Sequence, residues 1–232
     1  MDRLIEKIEL SHFSGNRELV VVIDVIRVFT TAAYAFAKKA KQIILLEKME
    51  EAYALKCRYP DWWLIGEERG FLTPPFDLGN SPFEVFRAPL AGKTLIQRTS
   101  CGTLGAVRAR HSQNILAASF VVAEATLQRI KHLELKKTTL LITAPSPRGQ
   151  EDWALADYLE AKLQVGEVDS CYYLDQVRNS SDAKAFGTPG FPQEDLDAIC
   201  DLNRFSFAME IFRDDPWLIL RPVTSTGELF YP

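Results

Sequence analysis

Residues 18–26, ELVVVIDVI, are almost all Val, Ile and Leu, and no other stretch restricts the fold of this chain as tightly. An apolar, β-branched run of that length without polar alternation suits a strand buried on both faces, the situation of a parallel sheet covered by helices. Residues 30–40 follow at once, rich in Ala and free of Gly and Pro, which predicts a helix. The alternation then continues. Residues 41–46 read as a strand and 47–58 as a helix. Residues 93–110 and 138–163 each read as strand, polar loop and helix, and 114–120 as a short strand before another helix. Leu155, Leu159 and Leu163 stand four apart and form an apolar stripe on the last of these helices. Strands alternating with helices imply an α/β fold, three-layer α/β/α, with a largely parallel or mixed sheet. No boundary divides the chain, so residues 1–232 are expected to form a single compact domain. Residues 66–86, rich in Gly and Pro, read as a long loop, of a length that is usually functional or mobile. Residues 179–192 read as a surface loop and 216–223 as a final strand.

Bulk properties exclude several classes. A net charge of −4 and a pI of about 5.5 argue against a nucleic-acid binder. The four cysteines form no CxxC pair and only three histidines are present, which disfavours zinc. The N-terminus lacks the pattern of a signal peptide, and no apolar run approaches the ~20 residues of a membrane span. The expected location is cytoplasmic, with no membrane partner and free thiols.

Ligands of open parallel sheets bind where strands end and helices begin. Asp24, Arg27, Thr30 and Thr31 follow the first strand. Arg98, Thr99, Ser100, Cys101, Gly102 and Thr103 follow the strand at 93–98. Ser146, Arg148, Gly149, Glu151 and Asp152 follow the strand at 138–143. Hydroxyls, arginines and helix-start amides suit a phosphate or carboxylate, and neighbouring carboxylates suit Mg²⁺, a hard ion that shares oxygen ligands with phosphate. A structural reading stands beside each: Asp24 as a turn cap, Arg27 as its ion-pair partner, the threonines as helix caps, and Glu151 with Asp152 as complements to a helix dipole. Three phosphate motifs fail. DxDxT lacks its second aspartate, because Ile26 stands there. Cys101 is followed by Arg108 seven residues on, one too many for a cysteine-phosphatase loop. GxxxxGK[ST] is absent.

Four fragments in order resemble the 2-phosphosulfolactate phosphatase family, with the likeness running from about residue 18 to 223. VVIDVIRVFTTA (21–32) is similar to the family's VVIDVLRATTT. FDLGNSP (76–82) matches residue for residue. TSCGT (99–103) stands where TTNGT is common, and EDWALADYLEAKL (151–163) resembles an EDYLAA segment. The resemblance implies Mg²⁺-dependent hydrolysis of a phosphate ester on a small acid, 2-phosphosulfolactate in the coenzyme M biosynthetic route. It marks Asp24, Arg27, Thr30, Thr31, Asp77, Gly79, Asn80, Ser81, Gly102, Thr103, Glu151 and Asp152. Of these, Asp24, Arg27 and Asp152 would be catalytic. Asp24, Glu67, Asp77, Glu151 and Asp152 are the candidate metal ligands. Arg27, Thr30, Thr31, Asn80, Ser81, Ser100, Gly102 and Thr103 would surround the substrate, and Arg98 or Arg148 would pair with its acid group. Three departures touch the loops: Ser100-Cys101 for Thr-Asn, Pro75 for a Gly, and GEERG (66–70) for GERGG, with Glu68 where an arginine is usual. Two other readings remain: a binding protein that holds an anionic metabolite without hydrolysing it, and an enzyme using Cys101 as nucleophile. A homodimer is the prior for a soluble oligomer.

Overall fold

The computed structural model describes residues 4–68, 72–145 and 147–230. Ser146, Arg69 and Gly70, singled out above, lie outside them. The described strands are β1 (Leu4–Glu9), β2 (Leu19–Ile23), β3 (Gln42–Leu46), β4 (Trp63–Gly66), β5 (Thr94–Arg98), β6 (Asn114–Ala118), β7 (Lys137–Ile142), β8 (Ala208–Asp214) and β9 (Trp217–Val223). The helices are α1 (Val28–Ala37), α2 (Met49–Arg58), α3 (Pro82–Arg87), α4 (Gly102–Ala109), α5 (Ala123–His132), α6 (Gln150–Gln164), α7 (Ser170–Arg178) and α8 (Gln193–Ile199). All nine described strands join one sheet in the order β1-β7-β2-β6-β8-β9-β3-β5-β4.

The sheet is mostly parallel but mixed. β1, β7, β2 and β6 form one parallel set, and β3, β5 and β4 another. β8 and β9 join the sets through antiparallel pairings of β6 with β8, β8 with β9 and β9 with β3. An odd number of reversals makes the two parallel sets run in opposite senses.

Alternation along β2 shows the three layers. Val20 and Val22 pack with Phe29, Ala32 and Phe36 of α1 and Ala106 of α4. Leu19, Val21 and Ile23 pack on the other face with Leu127 of α5 and Leu155 and Leu159 of α6. Side chains on successive strand residues point to opposite faces, so a strand with both neighbours covered must be apolar at every position. α2 covers the outer face of β3 and β5 through Ala52 and Leu55.

The short helix α4 packs on both β2 and β3, which stand four places apart in the sheet. In a flat sheet with strands about 4.8 Å apart, that separation would be about 19 Å, wider than a helix of about 10–12 Å. The sheet therefore curls around α4. Strand twist of about 20–25° per step accumulates across the five steps from β2 to β5 and swings the ends of the second set back toward the end of β2.

Most sequence expectations hold with shifted ends: the strand expected at 18–26 is shorter, 19–23, and the helix expected at 30–40 starts two residues earlier and ends sooner, at 28–37. β1 was not anticipated. It is an edge strand, and two of its three charges are met by neighbours: Lys7 meets Asp157 and Glu160 of α6 at 2.7 and 2.6 Å, and Glu6 meets Lys137 at 2.9 Å. The long loop at 66–86 contains α3, with Ser81 as N-cap accepting from the Glu84 amide and Pro82 at the first turn, where a missing N–H costs nothing. Among the described residues, no helix is long and apolar enough to cross a membrane.

Gly66 closes β4 with φ 138, and a Cβ there would stand 1.9 Å from the Arg98 carbonyl oxygen. Its amide also donates to Leu78 O at 3.2 Å, tying the 76–80 segment to the strand. Gly66→Ala is expected to lower unfolding stability by about 3 kcal/mol or more. Urea denaturation checks this; an unchanged midpoint would show that the backbone tolerates a side chain at this position.

Candidate active site

Asp24 is the first residue past β2 and is only 4% exposed. Its Oδ1 accepts from the Val28 amide at 3.0 Å, which caps the start of α1. Its Oδ2 lies 3.2 Å from Thr143 Oγ1, at the end of β7. That hydroxyl is also 2.9 Å from Ile23 O and 3.4 Å from Asp152 Oδ2. A hydroxyl has one proton to donate. Ile23 O also accepts from the Thr143 amide at 3.3 Å and Asp152 Oδ2 from the Ala144 amide, which leaves the hydroxyl proton for Asp24 Oδ2. Asp152 is equally enclosed: Oδ1 accepts from the Val25 amide at 2.8 Å and Oδ2 from the Ala144 amide at 3.3 Å. Glu67, just past β4, accepts from Ser100 N at 2.6 Å and from Ser100 Oγ at 3.2 Å. Glu151 is fully buried, and neither carboxylate oxygen makes a hydrogen bond of good geometry.

The electrostatics follow from crowding. Burial, then the charges of Glu151 and Glu67, push Asp24 up to about 7 against the opposing effect of its amide bond. Burial, then Asp182, raises Glu151 to about 7, softened by its own amide and the Ser180 hydroxyl. Asp152 is raised by burial and by Asp24 and Glu151. Cys101 is pushed up to about 12 by burial and by Asp24, Asp152 and Glu67, so its thiol stays protonated at neutral pH.

A cavity of about 460 Å³ opens onto this group. Asp24, Glu67, Ser100 and Cys101 form its acidic and hydroxylic side, and Arg27, Arg148 and Asn80 supply donors. Asn80 is buried and its Oδ1 has no partner. Arg27 donates to Asp195 at 2.8 Å and lies 4.4 Å over the Phe191 ring. Arg148 stands at the rim, 62% exposed, with Nε and one terminal nitrogen donating to Asp182 at 2.9 and 2.6 Å. The remaining wall comes from Ile26 and Val28 beside Arg27 and from Ser181, Asp182, Ala185 and Phe191. The stretch expected as a surface loop at 179–192 is thus one side of the cavity.

Of the residues marked from sequence, Asp24, Arg27, Glu67, Asn80, Ser100 and Arg148 share the cavity wall. Asp152 and Glu151 stand behind it, coupled to Asp24 by charge and through Thr143. Gly102 presents backbone: a Cβ would meet Asp24 Oδ2 at 2.7 Å, so only glycine lets α4 begin this close to the carboxylate. Others serve the frame. Asp77, expected as a metal ligand, instead pairs with Lys56 at 2.8 Å and accepts from the Leu64 amide at 2.7 Å. Thr30 donates to Val25 O, Thr31 is buried within α1 outside the cavity lining, and Thr103 bonds back to Thr99. Arg98 donates to the backbone carbonyls of Glu47 and Glu67, and Ser81 donates to Asp195 at 2.7 Å. The sequence reading missed Thr143, Asp182, Phe191 and Asp195. Thr143 carried a signal, since it ends a strand; the other three had none.

Among the described residues, no group of three or more His, Cys, Asp or Glu side chains converges as a ready metal cage. The donor chemistry nevertheless suits a hard cation: several carboxylates in mutual repulsion, with Glu151 oxygens that make no hydrogen bond of good geometry among the described residues. Mg²⁺ keeps several waters and often takes only one or two carboxylates beside phosphate, so a three-ligand cage is not a requirement.

The model of the 2-phosphosulpholactate phosphatase family matches residues 5–212. A probable 2-phosphosulfolactate phosphatase of Bacillus subtilis is 34% identical over 207 residues, 88% of this chain and 91% of the relative. Proteins of the same name from Carboxydothermus hydrogenoformans and Thermotoga petrophila are 36% identical over 182 residues (77% and 76%) and 31% over 190 residues (75% and 81%).

The raised carboxyl groups set the sign of a pH effect. Glu151 ionises near its ordinary 4.5 when unfolded and near 7 when folded, so its charge destabilises the fold increasingly across that window and fully above it. Without divalent cations, Glu151→Gln is expected to raise the melting temperature by several degrees at pH 8 and to leave it unchanged at pH 4. An equal shift at both pH values would show that the carboxylate charge is not the cause. Cys101→Ala is expected to keep full activity; a loss beyond about tenfold would restore the thiol as a nucleophile.

Proposed function

The chain belongs to the 2-phosphosulfolactate phosphatase family, and from that membership we propose that it is a Mg²⁺-dependent phosphatase that hydrolyses a phosphate monoester on a small organic acid, 2-phosphosulfolactate being the substrate named for its relatives. The observation that carries this reading is a cavity that buried carboxylates share with two arginines. A phosphomonoester of a small acid presents two anionic groups a few bonds apart, and the two arginines match that pattern.

Asp24 and Glu67, the two carboxylates on the cavity wall, would hold Mg²⁺, with Asp152 and Glu151 behind them adding negative charge. When bound, the cation would draw charge from the phosphoryl oxygens and favour ionisation of a nearby water. Arg27 binds the phosphoryl group, its planar guanidinium matching two oxygens at once. The N-terminal end of α4, starting at Gly102 against Asp24, adds the positive end of its dipole on the same side. Asn80 offers an amide group to the substrate. Arg148, at the rim, takes the carboxylate or sulfonate of the acid by exchanging its Asp182 partner. Thr143 fixes Asp24 and Asp152 relative to each other, which orients the water-facing oxygen of Asp24. Phe191 and Ala185 limit water on the far wall, where a drier site strengthens each of these contacts.

Phosphate release from a panel of phosphorylated small acids, 2-phosphosulfolactate included, tests the reading. Release with Mg²⁺ and its loss in EDTA are expected, and Asp24→Asn should fold while turnover falls about 10³-fold or more. No release from any member by folded protein would favour a binding protein for an anionic metabolite. An active Asp24→Asn enzyme would remove that residue from the chemistry.

A further inference from the structure

Arg27 does not hold its position alone. Asp195, third residue of α8 and fully buried, reaches it from the far end of the chain. One oxygen, Oδ2, accepts from Arg27 at 2.8 Å. The other, Oδ1, accepts from Ser81 Oγ at 2.7 Å and from the Phe83 amide at 3.0 Å. One carboxylate thereby joins three separate pieces: the turn after β2, the Asn80–Ser81 turn that opens α3, and α8. Arg27 is further confined by Gly190 O at 3.4 Å and by the rings of Phe191 and Phe186 at 4.4 and 6.0 Å. Arg27, bonded to this carboxylate, and Asn80, the chain neighbour of Ser81, both line the cavity.

We infer that Asp195 is a positioning residue of the anion site: it fixes the direction of the Arg27 guanidinium and, through Ser81, the placement of Asn80, so that both are set for a phosphoryl group before it arrives. A long cation without such a partner must lose side-chain freedom on binding, and a site that has already fixed it binds more tightly. A carboxylate bonded on both oxygens is also restricted to one orientation, which a purely neutralising charge would not need. The inference takes its substrate from the phosphatase reading but concerns anion binding, which is measurable without turnover.

The test uses the full chain with Mg²⁺ and inorganic phosphate as probe, followed by calorimetry, with KM and kcat for phosphate release measured alongside. Asp195→Asn keeps the shape and removes the charge. It is expected to weaken phosphate binding and raise KM at least about tenfold, with a smaller change in kcat. In an Arg27→Met background the same substitution should have no further effect on phosphate affinity, because its action passes through the arginine. A merely structural role would instead lower the melting temperature in both backgrounds and leave affinity and KM as they were, which would overturn the inference. Full additivity of the two substitutions in phosphate affinity would overturn it too. If the buried-charge variants do not fold, Ser81→Ala decides: several-fold weaker phosphate binding supports the link, and unchanged binding refutes it. Wild-type protein that binds phosphate, loses it with Asp195→Asn, and releases none from any ester would sustain this inference while removing the phosphatase reading. Protein that neither binds nor releases phosphate removes both.

Discussion

Everything at the site depends on the curl of the sheet. β2 and β5 belong to parallel sets that run in opposite senses, separated by the antiparallel pair β8 and β9. In a flat sheet their C-terminal ends would face opposite directions and share nothing. Wrapped around α4, they deliver Asp24 and Ser100 to one cavity, with Glu67 from the end of β4 beside them. The rule that ligands sit at the ends of parallel strands still holds, but here it operates across two sets rather than one.

Burial then decides the chemistry. Three acidic groups at or behind the cavity have pKa values raised, and desolvation is the first cause for each. Uncompensated carboxylates at such depth are costly, and a protein that retains them at a cavity wall has a use for their charge. Amides of Val25, Val28 and Ala144 hold the aspartates in fixed orientations, while Glu151 has far less support. The same field keeps Cys101 protonated beside them, which turns a potential nucleophile into wall. Opposite the acids, aromatic rings and Asp195 confine Arg27, so the two signs of charge face each other across the cavity without collapsing into one ion pair.

The frame was largely legible in the residues. β2 (LVVVI) and β3 (QIILL) are nearly continuous apolar runs because they are covered on both faces, and that pattern survives without knowledge of the partners. The edge strand β1 escaped notice because half its residues are charged, and only α6 and β7 show why those charges belong in a sheet. Strand-end position singled out Asp24, Arg27, Ser100 and Arg148, and the structure brings these four to one cavity wall. Asp77 was marked by the resemblance of FDLGNSP and not by a strand end, and its carboxylate braces β4 and pairs with Lys56.

Sequence by itself determined the layered α/β frame and the residues that stand where strands stop, because periodicity and local breaks are properties of neighbours along the chain. Tertiary structure alone decided which of those ends meet. It also supplied Asp195, Asp182 and Phe191, each more than 150 residues from Asp24 and without a local motif. Their roles arise from charge and ring contacts across the curled sheet, and such contacts leave no periodic mark in a sequence.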